Sequence, residues 1–354
     1  MRISLHPIAR TSKRFIHFKH DPLNIAFFGS GDFSVSSLGK ILELQKRCPE
    51  KISSVKVITR SLKPSGRYLK TLAELPISEF AKSHDIPILR ADTSNEIIDL
   101  TQRNNFNLTI AVSYGKLIPA EFLNKCAYGG LNVHPSLLPK YSGSSPIQYA
   151  LLNDDKTTGV TVQSLHPTKF DHGRIIAQSD ELEVKNDDDF DTLSKRLAQE
   201  GGQLLSDVIE KGLFLTTSRL PNIYERSLAP KIDKSKSQAL WKDYNARQIK
   251  RLNDAIGPVY TFINTRTKKK GQFVDEKKRV ILSEVTELKD QHNMPQLRHP
   301  GDFSLIKEGL CIKCKTGYVV TRKIKLQTRG DESPEKFIGS YHKTVGDAPP
   351  LFID

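Results

Sequence analysis

The sequence predicts an α/β protein in which a doubly wound, Rossmann-like domain is followed by a small, OB-like β-barrel domain. An apolar run at 23–28 leads into the glycine-rich turn 29–32, and hydrophobic residues then recur at helical spacing. A continuous apolar run at 108–112 is typical of an inner strand of a parallel sheet. Beyond residue 259 the pattern changes to short strand-like runs, as in small barrels. These runs are 260–264, 280–285, 303–307, 311–314 and 318–326.

The length of 354 residues favours two domains. We expect the doubly wound domain at 21–212, a linker at 213–230 and the barrel domain at 231–354. Residues 1–20 contain five Lys and Arg, several hydroxyl side chains and no Asp or Glu. This composition is typical of a mitochondrial presequence and predicts import into the mitochondrial matrix, and a disordered basic arm is the alternative.

Basic charge is concentrated in the C-terminal third of the chain. Residues 231–354 contain 25 Lys and Arg against 15 Asp and Glu, whereas 21–230 are close to neutral. A basic domain beside a neutral one indicates a polyanionic partner, with nucleic acid as the first candidate and anionic lipid as the second. Lys268, Lys269 and Lys270 form a basic run, for which a solvated surface is the alternative. No apolar run approaches the ~20 residues that span a bilayer, so we expect no membrane-spanning segment.

The four cysteines are too few for a disulfide framework in a chain of this size. Cys311 and Cys314 form one C-x-x-C pair, without a second pair or a nearby histidine. This spacing disfavours zinc, and we expect no metal and ordinary packed thiols.

Two polar side chains lie at the end of a short apolar run. Asn132 and His134 are two residues apart, so on a strand they share one face. Pro135 should end that strand, which places both side chains at its carboxyl end, where open α/β sheets bind ligands. Asp171 follows a second strand-like run at 159–165, and we expect the neighbouring Gly173 to let the backbone approach a ligand.

An amide, an imidazole and a carboxylate together suit the attack of an amine on a carbonyl carbon. Asn132 can donate to the oxyanion, His134 can hold charge or a proton, and Asp171 can take a proton or orient the imidazole. The alternative is two buried polar strand residues and an aspartate in a turn, and these residues alone leave both interpretations open.

The stretch 132–171 resembles the folate-dependent formyltransferases. Their signature is Asn-x-His, Ser-Leu-Leu-Pro, a glycine loop and a downstream Asp, and the positions that match it are Asn132, His134, Ser136, Leu137, Leu138, Pro139, Gly143 and Asp171. Residues 146–148 and 158–161 are similar to the branch that formylates methionyl-tRNA. The sequence departs from the family at Lys140 and Ser142, where Arg is usual, and in the loop 170–174. These departures concern substrate affinity more than the type of reaction.

The resemblance implies roles for particular residues. Asn132, His134 and Asp171 would be catalytic in transferring the formyl group of 10-formyltetrahydrofolate to the α-amine of methionyl initiator tRNA, for mitochondrial translation initiation. The expected folate-binding residues are Ser136, Leu137, Leu138, Pro139, Ser113, Tyr114 and Gly115. The expected tRNA contacts are Arg60, Lys63, Arg67, Lys268, Lys269 and Lys270. We expect a monomer that has no metal and does not bind membranes.

Three other functions fit part of the pattern. A formyltransferase for a small-molecule amine would share the catalytic residues but would not need the basic C-terminal domain. A formyl-folate hydrolase would use the same residues on water. A non-catalytic RNA-binding protein could retain the fold without the reaction.

Overall fold

The computed structural model describes residues 20–65, 71–217, 221–269, 272–289, 295–346 and 349–354. They divide into two compact units. The first unit falls within Met1–His134, Thr161–Gln178 and Ala198–Pro221, and the second within Pro135–Val160, Ser179–Leu197 and Asn222–Asp354. The units therefore interleave along the chain, whereas the sequence predicts two consecutive domains. Of the expected presequence, residues 1–19 lie outside the described residues.

The strands and helices follow one another in mixed α/β order. They are β1 (Leu23–Gly29), α1 (Asp32–Arg47), β2 (Ile52–Thr59), β3 (Lys63–Ser65), β4 (Thr71–Ala73), α2 (Pro76–Ser83), β5 (Ile88–Arg90), α3 (Ser94–Arg103), β6 (Leu108–Val112), α4 (Ala120–Lys125), β7 (Gly130–His134), α5 (Pro146–Leu152), β8 (Thr157–Thr158), β9 (Thr161–Ser164), β10 (Ile175–Gln178), β11 (Leu182–Glu183), α6 (Phe190–Glu210), α7 (Ala246–Ile256), β12 (Val259–Lys269), β13 (Gln272–Glu287), β14 (Phe303–Ile306), β15 (Gly309–Lys313), β16 (Tyr318–Leu326), β17 (Asp331–Glu332), α8 (Pro334–Gly339) and α9 (Tyr341–Val345).

The first unit is built on a seven-stranded mixed sheet with the order β10-β9-β7-β6-β1-β2-β5. The strands β1, β2, β5, β6 and β7 are parallel, whereas β9 runs antiparallel to β7 and β10 antiparallel to β9. All five residues of β6 are buried, as expected for an inner strand with helices on both faces. The predicted α/β fold is confirmed, and its sheet is mixed.

Single residues explain where β7 ends and how α6 packs. β7 ends at His134 because Pro135 cannot donate to the sheet. Helix α6 continues through Gly201 and Gly202 without interruption. A Cβ at Gly202 would lie 2.9 Å from the backbone oxygen of Ser36, so this glycine lets α6 pack closely against α1.

The second unit contains an antiparallel sheet with the order β12-β13-β16-β15-β14 and with β17 beside β16. Its core includes the buried aromatic side chains of Trp241, Phe303 and Phe352. The C-terminal residues extend the pairing, because Ile353 bonds to Phe262 of β12 and Phe352 donates to Gly301 beside β14. The terminal segment therefore bridges both edges of this sheet.

β12 and β13 are longer than the sequence pattern indicates and form one extended hairpin. The basic residues 277–279 therefore lie within β13, where Lys277 pairs with Asn264, and not at the hairpin turn.

Part of the expected linker is held by backbone pairing. Ser142 donates its N–H to the carbonyl of Ser227 at 2.9 Å, and Ala229 donates to the carbonyl of Ser142 at 2.8 Å. Gly143 has φ +131°, and a Cβ there would collide with the carbonyl of Ala229. The end of the segment 213–230 is therefore an ordered part of the second unit.

Helix α7 carries basic side chains that are engaged by carboxylates. Arg251 is 1% exposed and donates through Nε to Asp154 at 2.8 Å, while Nη2 of Arg247 donates to the same oxygen at 2.7 Å. Lys250 pairs with Asp254 at 2.6 Å. Burial opposes ionisation of Asp154, but hydrogen bonds and charge from the two arginines lower its pKa to about 2. The basic face of α7 is thus largely neutralised within the second unit.

Among the described residues, no helix combines the length and apolar character that a membrane crossing requires. Cys311 and Cys314 are buried, and burial raises their pKa to about 11 and about 12. The described part of the chain contains no group of three or more His, Cys, Asp or Glu side chains that could hold a metal ion.

Replacing Asp154 by asparagine should destabilise the second unit at neutral pH. The two arginines lose their shared anion, and the unfolding free energy should fall by about 1–2 kcal/mol, because the carboxylate is partly solvated. Its folded-state pKa of about 2 lies below the ordinary 3.8. The contribution is therefore present above pH 3.8 and is lost as the pH falls towards 2. Urea unfolding curves of parent and variant should differ at neutral pH and converge near pH 2.

The matched control removes an exposed charge from the same aspartate. Nζ of Lys156 lies 3.9 Å from Asp154, and its side chain is 80% exposed, so Lys156→Met should change stability by less than ~0.5 kcal/mol. Equal effects of the two substitutions would contradict the assignment of Asp154 to the arginines.

Candidate active site

The register of two antiparallel strands groups polar side chains on one face of the first unit's sheet. Asn132 and His134 lie on β7, opposite Gln163 and Thr161 of β9 respectively. Residues directly opposite each other in an antiparallel pair project from the same face. Gln163 and Thr161 are 2% and 0% exposed, and His134 is 5% exposed. The carboxyl end of β7 therefore carries a buried polar cluster.

Asp171 completes this cluster from the loop after β9. Its Oδ1 lies 3.4 Å from Nδ1 of His134, and both side chains are less than a tenth exposed. Gln163 donates from Nε2 to the same oxygen at 3.0 Å. A buried carboxylate needs such partners, because an unpaired charge out of water is costly. The carboxylate in turn orients the imidazole.

The conformation of the loop explains how Asp171 reaches β9. Asp171 has φ +51°, a left-handed conformation that aspartate tolerates better than most residues. A Cβ at Gly173 would collide with the backbone carbonyl of Ser164. The backbone N–H of Ser164 also donates to the carbonyl of Arg174 at 2.8 Å, and the N–H of Arg174 donates to Oγ of Ser164 at 2.8 Å. Gly173 therefore lets the loop close on its own strand, and this requirement is separate from the expected approach of a ligand.

The residues that follow β6 lie at the same edge, because β6 and β7 are neighbouring parallel strands. Ser113 has φ +50° and Gly115 φ +77°. Tyr114 packs edge-on against Phe28, with ring centroids 5.0 Å apart. Burial, with a smaller contribution from Asp92, raises the pKa of Tyr114 to about 12, so its hydroxyl is neutral at physiological pH.

The Ser-Leu-Leu-Pro segment belongs to the second unit and forms a buried turn. The hydroxyl of Ser136 donates to the carbonyl of Lys140 at 2.6 Å. Leu137 fills the space beside Gly159, where a Cβ would lie 2.7 Å from its Cδ2. Leu138 is 2% exposed and precedes Pro139.

The two positions that depart from the family pattern are engaged locally. Ser142 is 6% exposed and donates its hydroxyl to the carbonyl of Pro139 at 3.2 Å. Lys140 pairs with Asp155 at 2.8 Å. Ser142 therefore stabilises the turn that follows the Ser-Leu-Leu-Pro segment.

The expected tRNA contacts are spread over several elements. Arg60 follows β2 and donates from Nη1 to the carbonyl of Ser61 at 3.0 Å. Lys63 lies on β3, and Lys268 and Lys269 lie on β12. Arg67 and Lys270 lie outside the described residues.

Sequence reasoning missed Gln163. The signal was available in the alternation of β9, because Gln163 follows Thr161 by two residues and so shares its face. Its partnership with Asp171 depends on the pairing register and on the closure of the loop, which the sequence pattern does not contain.

Known proteins match this chain in sequence. Residues 23–209 match the sequence pattern of the family described as Formyl transferase. The mitochondrial methionyl-tRNA formyltransferase of Saccharomyces cerevisiae is 32% identical, over 92% of this chain and 91% of its own length. A methionyl-tRNA formyltransferase of Caldicellulosiruptor saccharolyticus is 28% identical, over 92% of this chain and 99% of its own length.

Solved structures match the chain in fold. HypX from Aquifex aeolicus, in complex with tetrahydrofolic acid, has a TM-score of 0.56 at 17% identity, and the match covers 92% of this chain but only 49% of HypX. The sugar 3N-formyl transferase WlaRD has a TM-score of 0.56 at 16% identity, over 88% of this chain and 100% of its own length. At such low identities the likeness concerns the fold alone.

The family pattern covers more than half of the chain, and the yeast relative matches nearly all of it. The chain therefore belongs to the formyl transferase family. It is an enzyme, and the relatives that match it over nearly its whole length are methionyl-tRNA formyltransferases.

Replacing Gly173 by alanine should displace the loop that holds Asp171. The new Cβ would collide with the carbonyl of Ser164, which is a backbone group and cannot rotate away. If the carboxylate moves by ~1 Å, kcat for formyl transfer should fall about a hundredfold. In the control variant Gly330→Ala, the added Cβ meets nothing within 4 Å, and activity should equal that of the parent. A fully active Gly173→Ala enzyme would show that this contact does not position the loop.

Proposed function

We propose that this chain transfers the formyl group of 10-formyltetrahydrofolate to the α-amine of methionine esterified to initiator tRNA, for mitochondrial translation initiation. The observation that carries the proposal is the buried pair of His134 and Asp171, whose facing atoms lie 3.4 Å apart at the carboxyl end of β7. It is supported by the two methionyl-tRNA formyltransferases that match 92% of the chain.

The proposed reaction is a direct transfer between two nitrogen atoms. Asp171 accepts a proton from the attacking amine, directly or through water, while a bond forms between the amine nitrogen and the formyl carbon. Asn132 and His134 stabilise the tetrahedral oxyanion. The bond from the formyl carbon to the folate nitrogen then breaks, and that nitrogen takes up a proton as tetrahydrofolate leaves. Loss of one oxyanion donor typically costs ~3 kcal/mol in the barrier.

In this proposal the folate-binding residues are those that the family resemblance identifies. Ser113, Tyr114 and Gly115 support this assignment because they follow β6 at the edge that also carries His134. The remaining candidates are Ser136, Leu137, Leu138 and Pro139. No metal is needed in this reaction, because an amide donor and an imidazole supply the stabilisation of charge.

The two functions divide along the chain in this proposal. Residues 21–212 are the catalytic domain, 213–230 the linker and 231–354 the tRNA-binding domain, which is a small OB-like barrel. The family match at 23–209 supports the first assignment. The excess of Lys and Arg in 231–354 supports the last, because phosphate contacts set affinity and its dependence on salt. The bridging of both sheet edges by the terminal segment supports the barrel.

We also propose that the enzyme acts as a monomer in the mitochondrial matrix and that residues 1–20 are the presequence. The basic, acid-free composition of residues 1–20 supports this. So does the name of the yeast relative, a mitochondrial enzyme.

Formyl transfer to methionyl initiator tRNA tests the catalytic assignment. His134→Ala and Asp171→Ala should each lower kcat at least about a hundredfold, because each removes a group that acts on the reacting atoms. The control is His299→Ala, which removes an exposed histidine 3.6 Å from Asp302 and should leave kcat unchanged. Free methionine and water are offered as alternative acceptors. Parental activity of both catalytic variants, or transfer to free methionine alone, would refute the proposal.

Neutralising Lys268, Lys269 and Lys270 should weaken tRNA binding and reduce its dependence on salt. Each lost phosphate contact lowers the slope of log K against log salt by ~0.7–0.9. The control triple variant neutralises exposed lysines on α1, α4 and α6, which are Lys46, Lys125 and Lys195, and should retain the parental slope. An unchanged slope in the first variant would contradict contact by these residues.

A further inference from the structure

Gln163 is a buried polar residue for which the proposed reaction assigns no role. It lies on β9 between β7 and β10, opposite Asn132 on one side and Ile175 on the other. Its side-chain amide donates to Oδ1 of Asp171 at 3.0 Å. The imidazole of His134 lies 3.4 Å from the same oxygen. One carboxylate oxygen therefore has neighbours from two adjacent strands.

The orientation of the Gln163 amide is determined by this contact. A rotated amide would place Oε1 against the carboxylate oxygen, so that two acceptors would face each other. In the present orientation Oε1 is buried and has no hydrogen-bond partner among the described residues. A buried acceptor without a partner is energetically unfavourable. The amide orientation that allows the bond to Asp171 therefore carries the cost of leaving Oε1 without a hydrogen bond.

We propose that Gln163 is a positioning residue for formyl transfer: its amide N–H holds the carboxylate of Asp171 against His134, in the place from which the carboxylate accepts the proton of the amine. The inference rests on the proposed role of Asp171. Gln163 touches neither substrate in this proposal and acts through the carboxylate alone.

Other charged and titratable groups lie near the pair along the chain. His134 faces Asp171 from β7. The loop that carries Asp171 and its flanking residues also contain His166, Lys169, His172 and Arg174. None of these changes in a Gln163 variant, so a shift in the pH profile reports the amide.

The test compares two variants that keep the volume of the side chain. Gln163→Met removes the N–H donor and should lower kcat about tenfold, with KM for each substrate changed less than about twofold. Its pH–rate profile should show the acidic limb at higher pH, because a carboxylate without the donor binds a proton more tightly. Gln163→Glu should move that limb further, by more than about one pH unit, because two adjacent carboxylates share a proton.

The normalised pH profile separates positioning from a merely structural role, because it does not depend on the fraction of protein that is folded. The matched control is Gln203→Met, which removes a similar bond between Gln203 and Asp207 on the exposed side of α6, 2.8 Å long. This control should retain both kcat and the profile of the parent. Parental kcat and profile in Gln163→Met, or an unshifted acidic limb in both Gln163 variants, would overturn the inference. Asp171→Asn is run in parallel: if it is inactive while the Gln163 variants behave as the parent, this inference alone fails, and if it is fully active, the proposed function fails.

Discussion

The burial of Asp171 is the constraint on which the geometry of the site depends. A carboxylate out of water is tolerated only where polar groups satisfy it, and here they come from His134 on β7 and Gln163 on β9. Antiparallel pairing sets these two side chains on one face. Because Gly173 has no side chain, the loop can fold back on β9 and place the carboxylate of Asp171 on the same face. The position of Oδ1 of Asp171 is therefore fixed by three things together: the register of β7 and β9, the close backbone contact at Gly173, and the two polar side chains beside it.

In the second unit the buried charged group is a cation, and it is also paired. Arg251 is almost completely buried, and its charge is balanced by Asp154 and Asp254. Basic residues on α7 are therefore largely unavailable to a polyanion, although they contribute to the net charge of 231–354. On β13, Cζ of Arg279 lies 3.8 Å from the ring centroid of Tyr260, and Nζ of Lys277 lies 4.2 Å from that of Phe262. The net charge of residues 231–354 therefore overstates the charge that is available to contact a polyanion.

Much of the fold and part of the candidate site could be predicted from the sequence. The other features could not be predicted, for physical reasons. The end of β7 at His134 follows from Pro135, and the buried strand β6 follows from its apolar run. The antiparallel direction of β9 could not be predicted, because alternation has the same period in both kinds of sheet. Asp154, which pairs with Arg251, lies 97 residues away in the sequence, and the bond from Gln163 to Asp171 depends on how the intervening loop closes. Composition and spacing therefore indicate neither contact. The sequence indicates that Gly173 has a special role, but the atom that requires a glycine there is the carbonyl oxygen of Ser164 on the preceding strand β9.

The interleaving of the two compact units has a consequence for how the polypeptide reaches its native state. The chain passes from one unit to the other after His134, Val160, Gln178, Leu197 and Pro221. Neither unit consists of one contiguous stretch of the chain. During synthesis, the N-terminal segments of each unit are therefore made well before the C-terminal segments with which they pack. Such high contact order slows folding and prolongs the exposure of apolar surface. Because each unit contains segments from several parts of the chain, the folding of one unit is coupled to the folding of the other.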